Sequence, residues 1–319
     1  MALVFRELKE HEFAGWDRFC EQQKSGTVFH TTPWLNHRKE GELHITACYD
    51  GAHLIGGFPW LLNRRYGLER IVKPRLSPYY GPVWKDNTGT TTRELLINSI
   101  LGDLQKFDMI AVSLLPGSAF PRDLVTSPAV RRNIRTCLRL PDKHVYYSKG
   151  LNYELRRSVY KGVTVTETDD ADIIYRLTQY SFQNAGRKHP LTPEEFSHLF
   201  SIMRRQKRCI AFKAEYEDTG VIGVQVLLFD DNRAYNVLSG IDRDHKKLNA
   251  GPLLMDHCID WSHKRGLIFD FEGSSIEPVF RFFMRFSPEV VTYPYHVYVN
   301  SKRIKLLNRF TEMFGKRLY

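Results

Sequence analysis

The 319-residue sequence lacks the features that mark a membrane-spanning or secreted protein. No run reaches the roughly 18 consecutive apolar residues that a membrane helix needs. The first 13 residues, MALVFRELKEHEF, contain no basic region followed by an apolar stretch. We therefore expect a cytoplasmic protein.

Cysteine and histidine spacings that would indicate a disulfide frame or a metal site are also missing. The five cysteines are an odd number, lie far apart and include no Cys-x-x-Cys pair: Cys20, Cys48, Cys137, Cys209 and Cys258. The 12 histidines show neither His-x-x-x-His nor His-Glu-x-x-His. These patterns predict reduced thiols and chemistry without a metal.

The composition is that of a globular protein with acidic partners. Hydrophobic residues make up 42% of the chain and aromatic residues 13%, and the length suits two domains. The formal net charge of +10 favours nucleic acid, phosphorylated substrates, coenzyme phosphates or an anionic membrane surface. Net charge alone does not distinguish among these partners.

An internal repeat follows from the order of the predicted elements. Residues 44–49 alternate as a strand does, turn at Asp50-Gly51 and return as the apolar run 54–62. Residues 209–216 and 221–229 repeat this hairpin, and a predicted helix and a short strand follow each one, at 91–107 and 109–115 and at 251–265 and 267–272. A duplication of one α/β unit explains the pattern, with 1–145 and 146–300 as the two domains and 301–319 as a basic amphipathic helix.

The element order in each half is that of the GNAT acyltransferase fold, and the chain resembles FemAB-like acyltransferases, the relatives of Fem-type peptidyltransferases with tandem GNAT domains. The stretches that carry the resemblance run in order along almost the whole chain: TVFHTTPWL (27–35), RLSPYYGPVW (75–84), LRRSVYKG (155–162), and the segments 234–266 and 269–295. The resemblance implies two tandem GNAT-like domains with mixed, mainly antiparallel sheets flanked by helices.

The resemblance also implies transfer of an acyl group to an amine. The donor would be acetyl-CoA or another acyl-CoA, as in GNAT enzymes, or aminoacyl-tRNA, as in Fem enzymes. The acceptor would be an amine-bearing phosphorylated or lipid-linked precursor of the cell envelope or of a polysaccharide. A basic, catalytically inactive pair of GNAT domains that binds RNA or anionic lipid is the alternative.

The candidate donor-binding residues follow the third strand of the second half. By the resemblance, this strand lies beside the acyl group and the loop after it meets the donor phosphates: Leu238, Ser239, Gly240, Lys246, Lys247, Asn249 and Gly251. In GNAT proteins the loop carries Gln/Arg-x-x-Gly-x-Gly/Ala. Residues 247–252 depart from it at three positions, and Pro252 has no N–H to donate, which leaves room for a tRNA donor. A solvated basic turn that caps the helix is the other interpretation.

Two further groups are candidates for substrate binding. On a predicted helix, Lys161 lies four residues after Arg157 and five after Arg156, so at least two of these side chains can share a face. That face could bind a diphosphate or carboxylate, or be solvated surface. Tyr79 and Tyr80 belong to a rigid aromatic turn that either lines the acceptor pocket or packs as a connecting loop.

Asp270 and Glu272 are the candidates for catalysis. Strand alternation in Phe269-Asp270-Phe271-Glu272 would place both carboxylates on one face, where one could accept the proton of the amine. A structural role is the other interpretation. The tail 301–319 carries an apolar stripe among basic residues, which either docks on the protein's own core or contacts an anionic inner membrane surface peripherally.

Overall fold

The computed structural model describes residues 3–121, 128–141, 147–184, 186–217, 219–273 and 276–306. The helices of these residues, α1 to α8, span Phe13–Gln22, Thr32–Leu35, Thr90–Asp103, Lys149–Tyr160, Ala171–Asn184, Pro193–Arg205, Ala250–His263 and Glu277–Met284. The strands, β1 to β13, span Leu3–Glu7, Glu42–Asp50, His53–Arg65, Leu68–Ile71, Val83–Trp84, Met109–Ser113, Val130–Arg139, Thr164–Glu167, Cys209–Tyr216, Gly220–Phe229, Arg233–Ile241, Ile268–Gly273 and Glu289–Val299. Within the described ranges, no helix is both long enough and apolar enough to cross a membrane.

The chain forms two units whose limits differ from the predicted boundaries at 145/146 and 300/301. One unit contains residues 1–134 together with 292–319, and the other contains residues 135–291. The reason is β13, which returns to pair antiparallel with β6 from Tyr295↔Ser113 to Val299↔Met109. The N-terminal unit therefore includes a strand from the end of the chain.

In the N-terminal unit the strands lie in the order β1-β2-β3-β4-β6-β13, and β5 pairs with β3. The predicted hairpin is β2 and β3, with Gly51 at φ +58° in its turn, a backbone conformation that glycine adopts without strain. Trp16 of α1 packs fully buried against this hairpin, in a cluster that includes Ile45 and Val83. The predicted helix and short strand after the hairpin are α3 and β6.

In the C-terminal unit the order is β7-β12-β11-β10-β9-β8. The second predicted hairpin is β9 and β10, and its turn again has a glycine with positive φ, Gly220 at +77°. α7 packs across these strands through Leu254, Cys258 and Ile259, which belong to one buried cluster. The mixed α/β fold and its repeated order of hairpin, third strand, helix and strand are confirmed.

Of the predicted tail helix, only the residues up to 306 are described. Ile304 is buried against β13 in a cluster with Val297 and Val299, so the start of the tail packs on its own unit. The remainder of the predicted apolar stripe lies outside the described residues.

Candidate functional site

The candidate site lies where two parallel strands of the C-terminal unit separate. β11 and β12 pair at Arg233↔Ile268, Ala234↔Phe269 and Tyr235↔Asp270. β11 continues to Ile241 and β12 to Gly273, yet no pair between their described residues follows Tyr235↔Asp270. After Tyr235, β11 thus has no strand partner on this side among the described residues, and its backbone groups there can bind an extended ligand as a neighbouring strand would.

A bulge in β11 lies at the same level. Asn236 is opposite Leu227 and Leu238 is opposite Val226, so Val237 is left without a counterpart on β10. A bulged residue breaks the hydrogen-bond ladder and turns its backbone groups away from their usual direction. Val237 was not among the site residues predicted from the sequence.

Beside the bulge, two buried amide side chains bond to each other. Gln225 Nε2 donates to Asn236 Oδ1 over 3.1 Å, and both side chains are buried. This hydrogen bond pairs an amide N–H with an amide oxygen, and each would be costly to bury without a partner. The signal in the sequence was Gln225, the single polar residue in the apolar run of β10.

The loop after β11 leads into the start of α7, where the cap residue makes no side-chain hydrogen bond. Its short 3-10 helix Lys246–Leu248 leads to Asn249, whose φ of +55° is left-handed, and α7 begins at Ala250. The Asn249 side chain does not cap the helix, and Leu253 N–H bonds to Asn249 O over 3.3 Å. Since the first N–H groups of a helix have no intrahelical acceptor and Pro252 has no N–H, Ala250 and Gly251 supply the donors at this end.

Helix α4 is held against this loop. Ser158 Oγ donates to Leu248 O over 2.7 Å, and Lys161 Nζ donates to Lys247 O over 3.4 Å. The helix itself starts where the Ser148 hydroxyl accepts from Leu151 N–H. Lys161 of the helix and Lys247 of the loop, which were predicted separately, are therefore brought together.

The cations of this region are exposed. Arg156 and Arg157 on α4 and Lys246 and Lys247 in the loop are all exposed, and none of the four forms an ion pair in the described part of the chain. Exposed positive charge on α4 and in the loop before α7, together with helix N–H groups that lack an intrahelical acceptor, is suited to phosphate.

Of the residues predicted on β11, Leu238 and Gly240 are buried and Ser239 is exposed. A Cβ at Gly240 would lie 2.3 Å from the backbone carbon of Leu177, because α5 crosses the strand there. The structure thus gives Gly240 a packing role.

The predicted alternation of Asp270 and Glu272 is wrong. Against β7, Asp270 pairs with Leu138 and the next pair is Gly273 with Thr136, so the strand bulges, and Glu272 has φ +59°. Asp270 Oδ1 accepts from Thr136 Oγ1 and from Glu272 N–H, both over 2.9 Å. Asp270 is fully buried, whereas Glu272 is partly exposed. The two carboxylates therefore have different surroundings, and their catalytic roles stay predictions.

The N-terminal unit has the corresponding strand arrangement, but its own chain occupies the gap. β4 and β6 run parallel and pair only at Arg70↔Met109 and Ile71↔Ile110 in the described residues. Beyond these pairs, Tyr80 N–H bonds to Ser113 O over 3.0 Å and Ser113 N–H to Tyr80 O over 2.7 Å. A donor could not pair with β6 there without displacing this backbone.

Tyr79 and Tyr80 are consequently core residues of the N-terminal unit. Both are 0% exposed, and the Tyr80 hydroxyl accepts from Leu61 N–H over 2.6 Å. Their burial favours the packed connecting loop over the acceptor pocket, although the predicted acceptor role remains untested.

Among the described residues, no three His, Cys, Asp or Glu side chains come together as metal ligands. The five cysteines are buried free thiols, and burial raises the pKa of Cys20, Cys209 and Cys258. These three thiols are therefore protonated near neutral pH.

Comparisons with known proteins agree with this geometry. Residues 129–277 match the family model described as the acetyltransferase (GNAT) domain. Among solved structures, FemX is similar with a TM-score of 0.71 and 10% identity, covering 94% of this chain and 99% of its own. A tandem GNAT protein from the clavulanic acid biosynthesis pathway has a TM-score of 0.57 with 10% identity and 94% and 99% coverage. L-PGS from Bacillus licheniformis has a TM-score of 0.58 and 11% identity, and the match covers 98% of this chain and 99% of L-PGS.

No curated protein sequence matches the chain. The fold and the domain match nevertheless define its class, which is that of an acyltransferase. Residues 129–277 match the GNAT acetyltransferase domain, and FemX and the tandem GNAT protein share the fold of almost the whole chain. The resemblance stated from the sequence is confirmed.

Proposed function

We propose that the protein is an N-acyltransferase that binds an acyl-CoA donor between β11 and β12 and transfers the acyl group to an amine. One observation carries the proposal: the two strands separate after Tyr235↔Asp270, directly before a helix whose first N–H groups are free, within a GNAT acetyltransferase domain. Among the described residues of the N-terminal unit, Tyr80 and Ser113 fill the corresponding gap, which leaves no second donor site of this kind there.

The acyl chain of the donor lies along the edge of β11. The backbone N–H groups near the Val237 bulge donate to the acyl carbonyl and stabilise the negative charge that forms on its oxygen during attack. Fixed backbone donors supply this stabilisation without reorganising.

The donor's phosphates bind at the start of α7. The N–H groups of Ala250 and Gly251 point along the helix axis toward them, and the side chains of Arg156, Arg157, Lys246 and Lys247 add positive charge. The bond from Ser158 to Leu248 O fixes α4 against the loop and so keeps the two sources of charge together.

The acceptor amine attacks the thioester carbonyl directly. A C–N bond forms, the C–S bond breaks, the thiolate of CoA leaves, and the amine loses one proton. Glu272 is the proposed acceptor of that proton, because Asp270 is fully buried and its Oδ1 already accepts two hydrogen bonds.

Aminoacyl-tRNA is the second candidate donor. Two observations favour it: Pro252 removes one N–H from the phosphate-binding turn, and the exposed cations of α4 extend the basic surface beyond the loop. The proposed acceptor is an amine of a phosphorylated or lipid-linked envelope or polysaccharide precursor. Exposed Lys302, Arg303 and Lys305 would allow peripheral contact with an anionic inner membrane surface, consistent with a cytoplasmic enzyme.

Thermal stability with added donors tests the proposal. At about 100 times its Kd, a ligand of the folded state adds about 2.7 kcal/mol. We expect acetyl-CoA to raise the Tm of the wild type and to fail to do so in a K246A/K247A variant. The matched control is K264A/R265A, which removes the same charge at the far end of α7.

The other outcomes separate the alternatives. A shift with charged tRNA alone, also lost in K246A/K247A, would make tRNA the donor. Binding of nucleic acid that weakens steeply with salt, without acyl transfer to any amine, would support the inactive binding module. Equal loss in K264A/R265A would contradict the proposed location.

A further inference from the structure

The N-terminal unit contains a cavity of about 420 Å³ that the acyl-transfer proposal does not use. Residues 118–121 form one wall, the start of β7 contributes Arg131 and Asn133, and β13 contributes His296. Its described lining residues all belong to this one unit. A cavity of this size falls at the small end of the usual range for ligand pockets, about 300–1,000 Å³.

His296 is a neutral imidazole held in a fixed orientation. Its ring stacks on Phe120 with centroids 4.0 Å apart, and its Nδ1 lies 3.2 Å from the Tyr298 hydroxyl. The residue is 6% exposed, and burial, with a smaller effect of the Arg131 charge, lowers its pKa to about 4. With Nδ1 engaged by Tyr298, the remaining nitrogen, Nε2, has no partner in the described residues and can bond to a ligand.

Arg131 supplies a positive charge at the cavity. Its side chain forms no ion pair in the ranges described, and the described residues that line the cavity include no Asp or Glu. Asn133 is two residues further along β7 and therefore lies on the same face of the strand. A guanidinium, an amide and a neutral imidazole together offer several hydrogen-bond donors and one positive charge.

We propose that this cavity binds a small anionic ligand through a phosphate or carboxylate group, with Arg131 as its charged partner and His296 and Asn133 as hydrogen-bonding partners. The oxyanion bonds to the guanidinium, which matches it geometrically. The wall of Phe120 and Pro121 takes the less polar part of the ligand, and the volume suits a molecule of about the size of a sugar phosphate. This site is separate from the proposed donor site, which lies entirely in the C-terminal unit.

The neighbouring residue on β7 provides a matched control. Arg132 is exposed like Arg131 but points to the opposite face of the strand, where its charge lowers the pKa of Tyr295 against a larger raising effect of burial. The variants R131Q and R132Q therefore remove the same charge from adjacent positions, and only R131Q alters the cavity.

The test is isothermal titration of the full-length protein with three sugars of one ring type at constant ionic strength. Glucose 6-phosphate and glucuronate carry the two anions, and neutral glucose is the reference. We expect one or both anions to bind the wild type more tightly than glucose does. R131Q should weaken that binding about tenfold or more, as expected for a lost hydrogen bond to a charged group, and R132Q should leave it unchanged.

The pattern across the sugars identifies the anion. Binding of glucose 6-phosphate alone would assign a phosphate ligand, and binding of glucuronate alone a carboxylate ligand. Failure of both anions to bind at millimolar concentration would overturn the proposal, as would an equal loss in R131Q and R132Q. Far-ultraviolet circular dichroism of both variants confirms that they are folded.

A second readout follows the imidazole itself. An anion bound beside His296 favours the protonated ring, so saturating glucose 6-phosphate or glucuronate should raise its pKa from about 4 in the wild type. An NMR titration of the His296 ring protons measures this pKa. Arg131 and Tyr298 are the neighbouring groups that also influence the pKa. An unchanged pKa at saturation would contradict direct contact.

Discussion

The carboxylate of Asp270 holds a bulge in β12 together. It accepts from the Thr136 hydroxyl and from Glu272 N–H while fully buried, and Arg233 Nη1 lies 3.9 Å away. D270A would leave the buried Thr136 hydroxyl and the partly buried Glu272 N–H without this acceptor, and a buried donor left unsatisfied costs about 1–3 kcal/mol. We expect a loss of at least about 2 kcal/mol in the free energy of unfolding, measured by urea titration.

E272Q is the comparison at the same bulge. The Glu272 side chain is partly exposed, so this substitution should change the free energy of unfolding by no more than about 0.5 kcal/mol. If Glu272 accepts the amine proton, kcat should fall while the KM for the donor stays constant. Equal destabilisation by D270A and E272Q would show that the two carboxylates have been assigned the wrong roles.

At the scale of elements, the crossing of α5 over β11 depends on Gly240. A Cβ there would lie 2.3 Å from the Leu177 carbonyl carbon, and backbone cannot move aside as a flexible side chain can. We expect G240A to lower the free energy of unfolding by about 1–3 kcal/mol. Chemical denaturation measures the change.

G251A is the matched control, in the first turn of α7. A Cβ there would be 3.5 Å from the Ile241 side chain, an ordinary contact, and alanine favours a helix over glycine by up to about 1 kcal/mol. G251A should therefore be as stable as the wild type or more stable. A stable G240A would contradict the close packing of α5 on β11.

The helices and strands could be predicted from the sequence more fully than the site. Alternation and turn glycines located both hairpins, and helical spacing located α3 and α7, because these signals are local. The bulges at Val237 and Glu272 could not be predicted, since each depends on how a neighbouring strand pairs. The contact of α4 with the loop before α7 joins Ser158 to Leu248, 90 residues away, and left no local signal.

At the scale of the whole molecule, buried histidines link stability to pH. Burial lowers the pKa of His30 to about 3, and that of His296 to about 4, against 6.5 when unfolded. Between about pH 6.5 and pH 4 the unfolded chain therefore binds more protons than the folded chain. The contribution of the two histidines to the free energy of unfolding is fully present above about pH 6.5 and is lost as the pH falls. For His30 alone the loss at pH 5 is about 2 kcal/mol relative to pH 7.

Denaturant unfolding at pH 7 and pH 5 measures this loss, and NMR of the His30 ring checks its source. The ring should stay neutral down to pH 5 in the folded protein. A ring that titrates near pH 6.5 while the protein remains folded would show that His30 is not buried as described.

Hydrogen–deuterium exchange tests most directly whether the acyl donor binds in the C-terminal unit. The exchange is measured with saturating acetyl-CoA and, separately, with saturating charged tRNA. We predict that one donor protects peptides covering residues 236–251 and 149–161, while peptides covering 72–84 and 109–113 exchange as in the free protein. Protection confined to the N-terminal segments, or no protection of residues 236–251 by either saturating donor, would contradict the account.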